Sequence, residues 1–192
     1  MIKRGGNGVN KLLKAALMIM VSFGVVMACA QESNKKSNSM ETFDIGDEVP
    51  HFTLKDQDGR DIDIAEYIGK KKLVIYFYPK DESPGCTKEA CAFRDSFADY
   101  TDAGAMVIGV NSGTVESHKA FAEKHRLPFT LLSDPGNRVL KQFGVKNVLF
   151  LTGRETFVVG LDGKLVFKYR ALMNATEHND KVLAFLKKDD AE

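Results

Sequence analysis

Apolar positions fall into three regimes along the chain. Residues 1–14 carry Lys3, Arg4, Lys11 and Lys14 with no acidic side chain, and an apolar run from Ala15 to Ala28 (AALMIMVSFGVVMA) follows, broken only by Ser22 and Gly24. A membrane-spanning helix needs roughly 20 apolar residues, so a basic leader with a shorter apolar segment reads as a secretory signal over residues 1–28. Gln31 to Thr42 (QESNKKSNSMET) is polar and lacks any period, as expected of a tether. From Phe43 to the end the pattern alternates between strand and helix periods, which places one folded domain over residues 43–192.

Within that domain, His51 to Leu54 and Asp61 to Ile64 form a strand–turn–strand signal around Asp58-Gly59. Leu73 to Tyr78 (LVIYFY) and Ala105 to Val110 (AMVIGV) are continuous β-branched and aromatic runs, the pattern of strands buried on both faces. Helical periods run from Cys86 to Tyr100, from Val115 to His125 after a cap at Ser112 or Thr114, and from Arg138 to Phe143. Phe129 to Leu132 is a short strand. Thr156 to Gly160 and Lys164 to Tyr169 make a hairpin through Leu161-Asp162-Gly163, and Asn174 to Lys188 closes with a helix. Buried strands alternating with helices, then a hairpin and a last helix, predict an α/β sandwich with a central mixed sheet flanked by helices.

Composition narrows the function. With 27 basic against 26 acidic residues the net charge is +1, which offers no basic face for nucleic acid. All four charges of residues 1–28 are positive, so the remainder is mildly acidic. Three cysteines are too few for a disulfide scaffold, and the odd count separates Cys29, at the end of the apolar run, from Cys86 and Cys91.

Cys86 stands where a helix begins, after a buried strand and a turn-rich loop. A helix start offers unpaired N–H groups and about half a positive charge, which stabilise a thiolate. Cys86 is therefore a candidate nucleophile. Cys86, Ala90, Phe93 and Phe97 share one stripe, while Cys91 is rotated by about 140° and lies about 7.5 Å further along the axis. The resulting Cα separation, roughly 8.6 Å, exceeds the ~7 Å that a disulfide tolerates. Either the disulfide never forms, or the helix unwinds locally to form it.

Two resemblances rest on these residues. Pro79-x-x-x-Ser83-x-x-Cys86 with Cys91 five positions on resembles the active-site motif of the peroxiredoxins, specifically their bacterioferritin-comigratory or Q-type branch. The likeness covers about residues 43–188 and implies a thioredoxin-like fold. It implies that Cys86 is the peroxidatic cysteine, attacking a peroxide oxygen to become a sulfenic acid. Cys91 would then resolve it as a Cys86–Cys91 disulfide, which a thioredoxin-like donor reduces. Ser83, where the family more often has Thr, and Arg154 are implied to hold the peroxide, with Pro79 shielding the site. The segment from Phe143 to Arg154 is shorter than in typical members. No metal or organic cofactor is implied. The second resemblance is Val26-Met27-Ala28-Cys29 to the bacterial lipobox, with Val26 for the usual Leu and Met27 for the usual small residue. It implies lipidation of Cys29, residues 29–42 as lipidated cysteine and tether, and a membrane-anchored protein of the bacterial cell envelope facing the periplasm or the outside.

Rival readings are weaker. A thioredoxin-type disulfide reductase needs C-x-x-C, which is absent. A plain structural disulfide conflicts with the helix distance. A non-catalytic thioredoxin-fold lipoprotein that binds a partner leaves Pro79, Ser83, Cys86 and Arg154 unexplained together. Glu89 reads as a solvated first-turn acid favouring the helix dipole. His118 and His125 read as surface helical histidines, and neither His51 nor His178 is assigned a role.

Overall fold

A computed structural model of the 192-residue chain describes residues 43–146 and 153–189. The signal segment, Cys29 and the tether lie outside the described residues, as does most of the segment leading to Arg154.

Seven strands form one mixed sheet: β1 (Thr53–Asp56), β2 (Asp61–Asp63), β3 (Lys72–Phe77), β4 (Ala105–Asn111), β5 (Thr130–Ser133), β6 (Glu155–Val159) and β7 (Leu165–Arg170), in the order β2-β1-β5-β4-β3-β6-β7. β3, β4 and β5 are parallel, while β1, β2, β6 and β7 are attached antiparallel at the two sides. The helices are α1 (Pro84–Asp95), α2 (Phe97–Asp102), α3 (Val115–His125), α4 (Arg138–Gln142) and α5 (Glu177–Asp189). This is the thioredoxin-like sandwich that the motif implied.

The period of β3 divides the core. Leu73, Ile75 and Phe77 face a layer with Phe43, Phe52, Val139, Phe143 and Phe157; Val74, Tyr76 and Tyr78 face the opposite layer with Cys86, Ala90, Phe93, Phe121 and Val182. β3 is buried from Leu73 onward because strands pair on both sides and helices cover both faces. Its chain leaves the carboxyl end of the sheet and turns through residues 78–83 into α1, which fixes where the nucleophile stands.

Two helices differ from the expected ones. α1 starts at Pro84, with Ser83 as its cap and proline at the first helical position, where a missing N–H costs nothing. It stops at Ser96, whose backbone leaves the helical region at φ −103° and ψ 14°, instead of running to Tyr100; α2 begins at the next residue, and the Ser96 hydroxyl accepts a hydrogen bond from Asn179 Nδ2 of α5 (3.1 Å). Tyr100 of α2 is buried and donates its hydroxyl to Asn179 Oδ1 (2.9 Å). α5 starts at Glu177, three residues later than Asn174.

Candidate active site

Ser83 is extended, and its hydroxyl accepts from the Cys86 N–H (3.4 Å) while donating to the Lys80 carbonyl (3.1 Å). With Pro84 and Gly85 occupying the first two helical positions, Cys86 is the third residue of α1 and shares the positive end of its dipole. Its side chain points inward at 1% exposure, as the apolar stripe requires. Arg154, at the entrance to β6 and 5% exposed, donates from Nη2 to Cys86 Sγ at 3.4 Å. Gly85 gives this contact room: a Cβ there would stand 3.2 Å from Arg154 Nη2, close enough that the guanidinium would have to shift by a few tenths of an ångström.

Cys86, Ser83 and Arg154 are thus brought together from a loop, a helix start and a strand start. Pro79 lies four residues before Ser83 on the same loop, half-buried. Cys91 lies on the same unbroken helix, half-buried, and both cysteines are free. The helix between them is intact, so a bond between them requires it to open. Cys29 lies outside the described residues.

Two sequence expectations are corrected here, for Glu89 and His118. Glu89 is not solvated but 0% exposed, and it accepts a hydrogen bond from Arg154 Nη1. It lies at i+3 from Cys86, on the stripe that carries Cys86 inward, and only the guanidinium from β6 makes the burial of a carboxyl there tolerable. Burial pushes its carboxyl up to about 8 against the pull of Arg154.

His178 of α5 is also fully buried, with Nδ1 3.7 Å from Glu89 Oε1. Its Nε2 meets the Ala171 carbonyl (2.9 Å), which can only accept, so the proton sits on Nε2 and the Thr156 hydroxyl donates to Nδ1 (2.7 Å). Burial lowers its pKa to about 4. His178 is therefore neutral beside Glu89, the lone pair of its Nδ1 already taken by Thr156, and Glu89 Oε1 has no hydrogen-bond partner among the described residues.

His118 is the second correction. It is not a surface histidine but 0% exposed, bonded through Nδ1 to Asp81 Oδ2 (2.9 Å). The signal was present in α3, where His118, Phe121 and Ala122 make an i, i+3, i+4 stripe. Asp81 and Thr156 went unnoticed because nothing periodic marks a buried polar residue in a loop or on a fully buried strand.

A buried cysteine at a capped helix start, facing a buried arginine in a thioredoxin-like sandwich, defines a thiol-peroxidase class of site. Known proteins agree. The family model described as AhpC/TSA family matches residues 45–168. The chain is 50% identical over 143 residues to the chloroplastic peroxiredoxin Q of Sedum lineare, spanning 73% of this chain and 76% of that one. Among solved structures it is similar to the peroxidoxin BcpB from Mycobacterium tuberculosis (36% identity, TM-score 0.70, 75% of this chain and 96% of that one). It is also similar to the bacterioferritin comigratory protein of Xanthomonas campestris (31% identity, TM-score 0.69, 76% and 99%). The chain belongs to the AhpC/TSA family, within its peroxiredoxin Q and bacterioferritin-comigratory type.

Proposed function

We propose that the chain is a thiol-dependent peroxidase that reduces hydrogen peroxide and organic hydroperoxides through Cys86. The observation that carries this reading is the 3.4 Å contact from Arg154 Nη2 to Cys86 Sγ at the start of α1, a cation and a helix dipole both aimed at one sulfur. The Cys86 thiolate attacks the terminal peroxide oxygen, the O–O bond breaks, and the leaving oxygen takes a proton to depart as water or an alcohol. Arg154 and the N–H groups at the start of α1 stabilise the charge that develops on that oxygen. Ser83 holds the loop against the helix start, and Pro79 restricts it.

Cys91 then attacks the Cys86 sulfenic acid: an S–S bond forms, the S–O bond breaks and water leaves. A thioredoxin-like dithiol reopens the Cys86–Cys91 disulfide by exchange. The published description of the Xanthomonas campestris relative speaks of alkyl peroxide reduction, which supports organic hydroperoxides as a substrate class. The leader and Val26 to Cys29 support a further reading, that the enzyme is lipidated at Cys29 and works at a bacterial envelope membrane.

The test is peroxide consumption with dithiothreitol as reductant. Cys86→Ser is expected to abolish it. Cys91→Ser is expected to leave the first turnover intact and remove the dependence on a thioredoxin-like donor. Activity retained by Cys86→Ser sinks the peroxidase reading.

A further inference from the structure

The loop that carries Pro79 and Ser83 is fixed by a residue to which the chemistry above gives no task. Asp81 is buried, and its carboxylate collects four side chains from three parts of the molecule. Oδ1 accepts from the Tyr78 hydroxyl (2.8 Å) and from Asn111 Nδ2 at the end of β4 (3.0 Å). Oδ2 accepts from Ser117 Oγ (2.6 Å) and from His118 Nδ1 (2.9 Å), both on α3. The carboxylate is an acceptor at every one of these contacts, so His118 carries its proton on Nδ1.

The donors are themselves held. Asn111 Oδ1 accepts the Gly113 N–H (2.5 Å), and Ser133 Oγ of β5 donates to the Gly113 carbonyl (2.6 Å). The next residue, Glu82, sits at φ +60°, in the left-handed region that non-glycine residues seldom adopt, and pairs with Lys124 and His125 at the far end of α3. A loop strained at Glu82 and bonded at Asp81 has one placement relative to the sheet.

We propose that Asp81 is a positioning residue for the peroxide step: by bonding the active-site loop to β4 and α3, it holds Pro79 and Ser83 against the start of α1. The proposal rests on the peroxidase reading. Peroxide attack needs an in-line approach to Cys86 Sγ with Arg154 and the helix-start amides in register, and a displacement of about 1 Å costs on the order of 100-fold in such geometry. Alkylation by iodoacetamide needs only a thiolate and access, so it provides the comparison.

The experiment uses the full chain and follows two rates at Cys86, sulfenylation by hydrogen peroxide in stopped flow and alkylation by iodoacetamide read by peptide mass spectrometry. Asp81→Asn keeps the shape but offers one acceptor oxygen where four donors converge. It is expected to slow sulfenylation about 100-fold while alkylation stays within roughly three-fold of wild type. Ser117→Ala removes a single bond to the carboxylate and is the variant to read if Asp81→Asn does not fold, with an expected selective loss of about 10-fold. Equal losses in both rates, or a sulfenylation rate unchanged in both variants, overturn the positioning role. A wild-type chain that consumes no peroxide overturns the peroxidase reading and this role with it; an active wild type with an equally active Asp81→Asn overturns this role alone.

Discussion

Beside the thiol, Glu89 and His178 titrate in opposite senses. Glu89 has its folded pKa raised from 4.5 to about 8, so between those values the folded chain keeps a proton that the unfolded chain has lost, and stability falls as pH rises. His178 has its folded pKa lowered from 6.5 to about 4, so over that range the unfolded chain binds the extra proton and stability rises with pH. The two slopes oppose each other where the ranges overlap, and above 6.5 only the Glu89 slope is left. Urea unfolding is expected to show a loss of about 2 kcal/mol between pH 6.5 and 8, and Glu89→Gln, which cannot ionise, is expected to flatten it. A slope that survives in Glu89→Gln assigns the effect elsewhere. Cys86 was readable from its place at a helix start, and Ser83 and Arg154 through the resemblance of their surroundings to the peroxiredoxin motif. Glu89 was misread because its partner lies 65 positions away in sequence, and no local pattern announces a long-range ion pair.

At the scale of elements, α1 has two incompatible tasks. Its start must be ordered to hold Cys86 beside Arg154, and its middle must open for Cys91 to reach the sulfenic acid. Lys88 is exposed and lies between the two cysteines, which makes it a position where backbone propensity alone can be changed. Glycine is less favourable than alanine in a helix interior by about 1 kcal/mol, so Lys88→Gly is expected to close the disulfide about five-fold faster than Lys88→Ala. The peroxide step is expected to be the same in both. Stopped-flow traces separate the two phases, and equal closure rates would falsify unwinding of α1 as the limiting event. The helix itself was legible from its apolar stripe. Its end was not, since the stripe continues to Phe97 and Tyr100 across the break at Ser96, and the Ser96 side chain is bonded to Asn179 from a helix some eighty residues later.

For the whole molecule, the alternation of buried strands and helices sufficed to predict a mixed sheet with helices on both faces, since β3 and β4 are apolar at nearly every position. The strand order was out of reach. β1 pairs with β5 across more than seventy residues, and no property of either strand alone selects the other. The charge distribution is a property of the same scale: the positive charges of residues 1–28 offset a mildly acidic remainder, so the proposed cleavage before Cys29 would leave a chain whose net charge does not favour anionic lipid. On the proposed lipoprotein reading, the hold on a membrane comes from acyl chains. Each buried CH₂ contributes about 0.8 kcal/mol, one chain binds only marginally, and stable anchoring takes two. The full-length chain expressed in a bacterial host is therefore expected to sediment with membranes at high salt, where electrostatic adsorption is screened, and to show acyl mass on a mature N-terminus at Cys29. Cys29→Ser is expected to move it to the soluble fraction with peroxide consumption unchanged, because the described partners of Cys86 and Arg154 belong to the folded domain. A mature N-terminus without acyl mass refutes the lipid anchor and leaves the peroxidase standing.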